Sequence, residues 1–506
     1  MARGISFRFK RRKMEWYFGG FRLANVLFQR SLAAVYLVAF IITLNQFPVL
    51  LGQHGFLPVP ESLRGLSFTR APTIYQFWFS DRFFLLTAWT GVALSVLILS
   101  GWHERGPWYL STGAWLALYG LYLSIVNAGQ VFYAFGWEDM LLEAGFFAAF
   151  LGPTTSKPSL VPVLALRWML FRLILGAGLI KLRNDPCWHD LTCLNYHFET
   201  QPMPNPLSWC FHQLPAPVLK GGVLFNHIVE VLVPFGLFGP QPVAAVAGGL
   251  IIGHQLLLIA SGNFAFLNYL TVVLCLTAFS NSIFKQEGPL NAQGSQPFSG
   301  LHQYAMYLLA ALTILLSVQP TLNLISRNQI MNTSYNPFRL VNTYGMFGTI
   351  TRERYEIVIE GTDDSRPSPA SEWKEYEFKG KPGNVDKLAP QVAPYHLRLD
   401  WLMWFLPLSV TIQENGPVLH GYELWFLRFI EKLLEGDRST LGLLRPGPFT
   451  GHPPRFVRGR FYRYQFTTWQ EMKRTGAWWK RELIGDYLPP VSLPDLKALG
   501  IDSGGP

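Results

Sequence analysis

Eight stretches of this chain are apolar over about the length that crosses a bilayer, and this constrains the fold more than any other feature. They run over 26–44, 83–100, 109–126, 161–182, 222–237, 244–260, 264–279 and 304–318. A span needs about 17–25 residues, and in lipid its backbone groups must pair within the segment, so each reads as a helix. A ninth stretch, 140–151, is shorter and reads as a half-span or interfacial helix. The expected fold is an α-helical polytopic membrane bundle of about eight or nine spans. Charge supports this: 15% of residues are charged, against roughly 25% in soluble domains. An equal share of aromatic residues suits interfacial belts.

The net charge of +10 is unevenly placed. Arg3, Arg8, Lys10, Arg11, Arg12 and Lys13 all precede the first acid, Glu15. Ahead of an apolar segment, such a cluster reads as the positive-inside signal that keeps the N-terminus cytosolic. A nucleic-acid arm would suit a soluble protein better. The first apolar core begins late, contains Arg30 and ends in LNQFP, which lacks a small-residue cleavage pattern. A retained anchor is expected.

Parity sets the rest of the topology. Nine passes place 183–220 and everything after 322 opposite the N-terminus, on the lumenal side; eight switch the C-terminus. Asn332-Thr333-Ser334 is a glycosylation sequon, usable only on the lumenal side. Cys187, Cys193 and Cys210 share one short loop, as suits an oxidising compartment. Both favour nine. Five regions follow: a basic cytosolic N-terminus (1–25), first transmembrane helices (26–182), a cysteine-containing lumenal loop (183–220), remaining transmembrane helices (221–322) and a lumenal C-terminal domain (323–506). In the last, RERYEIVIEG and EWKEYEFK alternate as a hairpin would. A helix is expected over 422–434 and a basic aromatic strand over 455–466, giving a soluble β-containing α+β domain.

Ionisable groups within spans are functional candidates, because burying them in lipid is costly. Arg167, Arg172 and Lys181 lie on one span, His227 and Glu230 one turn apart on the next, and His254 on the one after. They read either as a polar cluster joining Lys181, His227 and Glu230 or as snorkelling and interhelical pairing. Glu138, Asp139 and Glu143 form an acidic patch able to neutralise Arg167 or Arg172. Cys187 and Cys193 are close enough in sequence for a bridge, expected to be structural because no C-x-x-C motif is present. No zinc spacing, G-x-S-x-G elbow, phosphate loop or dinucleotide fingerprint occurs, so no metal or cofactor is expected.

The stretch GAGLIKLRNDPCWHDLTCLNYHFETQPMPNPLSW, with NHIVEVLVPF, SGNFAFLNYLT, QIMNTSYNPFRLVNTYGMFGTITRERYEIVIEGT, WKEYEFKGKPG, APYHLRLDWLMWF and RFVRGRFYRY, resembles the lipase maturation factor family. The likeness covers almost the whole chain and is nearer the family's first member than its longer second one. It implies a multi-pass protein of the endoplasmic reticulum membrane, or of the inner membrane in a bacterial relative, that is not an enzyme. Its implied partners are immature secreted lipases, homodimeric ones such as lipoprotein lipase above all, with other secretory clients, membrane lipid and self-association, and no nucleic acid. Client contact is expected over 183–220 and from 322 onward, with Trp188, His189, Tyr196 and Trp209 as candidates. A fainter likeness, in GLIKL with Asp185, Tyr196, His197 and Trp209, is to vitamin K-dependent gamma-carboxylases, where a lysine at the matching place is a base. That alternative makes Lys181 the base, with His197, Glu199, His227 or Glu230 assisting. The plainer expectation is that Lys181 pairs with Asp185 or Glu230 and fixes the rim of the bundle.

Overall fold

The computed structural model describes residues 21–105, 107–154, 159–280, 300–413, 416–419, 421–449 and 451–498. The basic cluster at 3–13 lies outside them. Helices α1 (Arg22–Leu51), α2 (Asp81–Ser100), α3 (Trp108–Ala128), α4 (Gly136–Ala148) and α5 (Leu160–Arg183) come first. Next is α6 (Ala216–His227), which continues through a π turn, Ile228–Leu232, and a 3-10 turn, Val233–Phe238. Then follow α7 (Gln241–Ser261), α8 (Leu267–Cys275), α9 (Gly300–Leu316) and α10 (Val318–Ile325). Among the described residues, seven helical segments are long and apolar enough to cross a membrane: α1, α2, α3, α5, Ala216–Phe238, α7 and His302–Ile325. The shorter α4 and α8 are buried along most of their length. A helix clad by protein need not match the bilayer, since its neighbours and not lipid surround it.

Contacts sort the helix ends into two groups. At one end Arg167 Nε donates to Thr277 O at 2.9 Å and Nη1 to Leu237 O at 3.1 Å. Arg30 pairs with Glu104 at 2.9 Å, Gln29 Nε2 donates to Gly152 O at 2.9 Å, and the Trp108 ring meets His302. At the other end Gln46 Nε2 donates to His396 O at 2.6 Å and Asn127 Nδ2 to Pro337 O at 3.2 Å. The helices therefore run alternately between two ends, with α4 and α8 each counting as one traverse. The start of α1 lies at one end and the C-terminal region at the other.

After α10 the chain turns back along α5 before any strand forms. Gln329 Nε2 donates to Gly176 O at 2.8 Å, and a Cβ on Gly176 would stand 2.4 Å from Tyr344 O. Val341, with φ 52, is held in the left-handed region that a β-branched residue avoids. Its neighbour Asn342 shows what holds it there, donating its backbone N–H to buried Glu143 at 2.8 Å.

The C-terminal region carries β1 (Arg354–Thr362), β2 (Lys374–Glu375), β3 (Val410–Gln413), β4 (Gly416–Leu419), β5 (Phe456–Phe466) and β6 (Trp479–Val491). One antiparallel sheet has the order β2-β1-β5-β6, and β3-β4 is a separate hairpin. The expected hairpin is a minor part of this sheet. β1 meets β2 only at Glu360–Glu375 and Gly361–Lys374, whereas it pairs with β5 along its length, from Arg354–Tyr464 to Thr362–Phe456. Pairing with β5 brings Val457 and Phe461 beside Ile357 and Ile359, all fully buried. β6 escaped the sequence reading because Gly485 and Pro489-Pro490 interrupt it; such residues are tolerated at a bulged sheet edge. Helix α11 (Leu424–Glu435) packs Phe429 against Phe56, beyond α1, and against Phe378.

Candidate functional site

Two glycines let the Lys181 region assemble. On one side of α5, Gly176 admits the returning chain; on the other, a Cβ on Gly178 would come within 2.9 Å of the Glu230 Cβ. The π turn after α6 carries Glu230 at this close approach. π bulges are rare and often lie at functional sites. Lys181 Nζ donates to both carboxylate oxygens of Glu230 at 2.6 Å and to Asn226 Oδ1 at 3.3 Å. Asn226 Nδ2 donates to Glu230 Oε2 at 3.1 Å. His254 Nε2 donates to Asn226 Oδ1 at 3.1 Å, since an amide oxygen can only accept, and Gln255 Nε2 donates to His254 Nδ1 at 3.4 Å. All five side chains are buried.

His227 does not join this cluster. Its Nε2 donates to Trp188 O at 2.9 Å, placing it on the outer side of the helix. Residues one turn apart share a face in a regular α-helix, but the π turn that begins at Ile228 rotates Glu230 away from it. Asn226, four residues before Glu230, takes the expected place. Sequence reasoning passed over it because it carries no charge.

Asp185 does not pair with Lys181 either. It caps the short helix Pro186–His189 by accepting from Cys187 N at 3.0 Å, with proline at the first helical position. It also accepts from Ile350 N at 3.0 Å and pairs with Arg352 at 2.7 Å. Burial pushes this carboxyl up, but the Arg352 and backbone bonds outweigh it and hold it down at about 2. Cys187 and Cys193 are bonded to each other beside it. With both sulfurs in the bridge and the carboxylate on Arg352, this trio has no free ligand set for a metal.

The lysine cluster forms one wall of a cavity of about 280 Å³ between α5, α6, α7, α8 and the loop. Trp188 and His197 line it, with Phe347 from the returning chain. His197 lies on the short helix Leu194–Thr200, and burial, with the Lys181 ammonium second, holds its imidazole down at about 3. It is therefore neutral at physiological pH. Glu199, on the same helix, faces away and accepts from Phe466 N at 2.7 Å; burial raises its carboxyl.

Of the four client-contact candidates, two present surface: His189 is exposed and Tyr196 half-buried under Arg352. Trp188 and Trp209 are internal. Trp188 Nε1 donates to Phe347 O at 3.0 Å; Trp209, 1% exposed, donates to Thr467 O at 2.8 Å and packs edge-on to Trp469 and Trp478. In a loop bound to a second domain, large aromatics become the joint itself. Asn332 is exposed, and its Oδ1 accepts from Gly345 N at 3.3 Å. Cys210 is a free exposed thiol and Cys275 a buried one.

The acidic patch on α4 takes three arginines, two of them from the C-terminal region. Glu143 pairs with Arg172 and accepts from the Tyr344 hydroxyl at 2.8 Å; Asp139 pairs with Arg339 at 2.7 Å and Glu138 with Arg398 at 2.8 Å. Arg167 instead turns Nε and Nη1 to the two carbonyls described above. Buried charges are tolerable when paired in this way, and these pairs pin the C-terminal region to the bundle.

This architecture agrees with comparisons to known proteins. Residues 23–286 match the lipase maturation factor transmembrane domain, and 340–489 match the lipase maturation factor C-terminal domain. Lipase maturation factor 1 of Mus musculus is 40% identical, over 95% of this chain and 89% of that protein. The Homo sapiens protein of the same name is 38% identical, over 96% and 91%. Lipase maturation factor 2 of Xenopus laevis is 28% identical, over 94% and 83%. No solved structure matches. The chain is a multi-pass membrane protein and belongs to the lipase maturation factor family, with greater likeness to the first kind than to the second.

Proposed function

We propose that this chain is a maturation factor of the endoplasmic reticulum membrane that helps homodimeric secreted lipases, lipoprotein lipase among them, reach an active folded state. It does so without catalysing a reaction. The observation that carries the reading is the alignment of both regions, spans and C-terminal domain, with relatives named lipase maturation factor 1. In this reading the N-terminus is cytosolic, while the loop and the C-terminal domain are lumenal. The disulfide suits that compartment, and Asn332, exposed at the same end, is a glycosylation acceptor. Against a carboxylase-like base stands the engagement of Lys181 Nζ with both oxygens of Glu230 and with Asn226 Oδ1, partners within the protein rather than a substrate.

Clients meet the surface that His189, Tyr196 and the adjoining C-terminal domain present. The test is to co-isolate newly made lipoprotein lipase with wild type and with His189→Glu/Tyr196→Ala, at equal membrane abundance. Co-isolation should fall several-fold in the variant, with secreted lipase activity falling and lipase synthesis unchanged. Equal co-isolation and equal activity would overturn the assignment of this surface.

A further inference from the structure

Two mostly buried side chains open their polar atoms onto the cavity beside Lys181 with no hydrogen-bond partner among the described residues. His197 and Asn268 are 6% and 3% exposed, and both line the cavity. Neither ring nitrogen of His197 has a hydrogen-bond partner among the described residues. The His197 ring packs against the rings of Phe198, Phe264 and Phe347. The amide of Asn268, on α8, is likewise without a partner among them. Buried polar groups are nearly always hydrogen-bonded, and leaving one unpaired is costly. Two such groups facing one cavity indicate a polar guest.

The remaining walls and the mouth describe that guest further. Most of the lining is apolar, including Leu173, Phe225, Leu267 and Phe347. At the rim stand Val218 of α6 and Leu257 of α7, 54% and 49% exposed on the outer faces of membrane-spanning segments. Such faces meet acyl chains, so the entrance opens sideways into the bilayer. At about 280 Å³ the cavity lies near the lower limit for small-molecule sites. It has room for a head group and the first part of an apolar body, with the rest in lipid.

Charge selects the head group. Lys181 is the cation on the wall, and it is already neutralised by Glu230 at 2.6 Å. An anionic head would face the Glu230 carboxylate, and a cationic one the ammonium. A neutral imidazole and an amide each offer both a donor and an acceptor, which complements a hydroxyl or carbonyl. We infer that this cavity is a binding site for an uncharged, hydroxyl- or carbonyl-bearing membrane lipid, which enters from the bilayer and places its polar head between His197 and Asn268. The inference does not depend on which clients the protein serves.

Microsomes containing the full-length chain test it with three photoactivatable, alkyne-tagged probes: a monoacylglycerol, cholesterol and palmitate. At least one neutral probe should label the protein saturably, on peptides containing the cavity-lining residues His197, Leu258 of α7 or Asn268, and palmitate at least tenfold less. Which neutral probe labels identifies the source of the hydroxyl. His197→Phe keeps an aromatic ring there and removes its hydrogen bonds, so binding should weaken about tenfold for one lost bond. Leu258→Trp fills the cavity and should abolish labelling. If that variant does not fold, Val218→Trp at the exposed rim blocks the mouth instead. Equal labelling by palmitate, labelling unchanged in the variants, or no saturable labelling by either neutral probe would each overturn the inference.

Discussion

Replacing Lys181 with methionine leaves the Glu230 carboxylate buried with one remaining donor, the Asn226 amide at 3.1 Å. Removing one member of a buried ion pair costs about 3–5 kcal/mol, because the other charge stays uncompensated. Glu230→Leu strands the ammonium in the same way and costs about as much. The double variant Lys181→Met/Glu230→Leu removes both charges and refills the space with apolar groups, a change that is often neutral or stabilising by about 1–4 kcal/mol. The two single losses sum to about 6–10 kcal/mol, whereas the double loss should be close to zero. The coupling is therefore at least about 5 kcal/mol, far above the ~0.5 kcal/mol within which independent sites add. Denaturation in lipid nanodiscs, followed by tryptophan fluorescence for the four proteins of this cycle, measures it. A Lys181→Met protein within about 1 kcal/mol of wild type, or a double variant as unstable as the sum of the singles, would refute the structural account of the pair.

Further outcomes follow from the loop and its joints. Opening the disulfide with Cys187→Ser/Cys193→Ser should cost about 2 kcal/mol, the chain-entropy value for so short a loop, seen as a lower unfolding midpoint under oxidising conditions only. Because the Asp185 carboxyl is held at about 2, below its unfolded value, its contribution is fully present above about pH 5 and is lost as pH falls towards 2. Asp185→Asn should therefore flatten the acid limb of the stability–pH profile; an unchanged limb contradicts this. Trp209→Ala should cost about 3–5 kcal/mol and expose the loop to limited proteolysis before the spans unfold. Glu143→Gln strands buried Arg172 and should cost a similar amount, lowering the yield of monodisperse protein.

The fold was legible in the sequence wherever one physical signal acted alone. Apolar length located the spans, whereas the close approaches at Gly176 and Gly178 became visible only with the fold. The partners of the spans were harder to read, because they lie far away in the chain. Glu138 and Asp139 find Arg398 and Arg339, more than 190 residues on, and no local pattern links them. His227 and Glu230 were expected to act together on the strength of helical periodicity, which a π turn breaks. Trp188 and Trp209 looked like contact surface because loops usually are; burial against Phe347 and Thr467 becomes visible only with the fold. Asn226 and Asn268 went unseen, since an uncharged amide in a span gives no electrostatic signal. A buried asparagine aligned with a charged residue on the same helix is the cue that could have found the first.

A maturation role in which Lys181 is structural is the central claim. Its most direct test is secreted lipoprotein lipase activity, per unit lipase protein, from cells lacking their own maturation factor that re-express wild type or Lys181→Met/Glu230→Leu at equal membrane abundance. Both should restore activity to the same level. Failure of wild type would contradict the proposed function itself, whereas rescue by wild type alone, with the double variant stable and present, would assign Lys181 a chemical step.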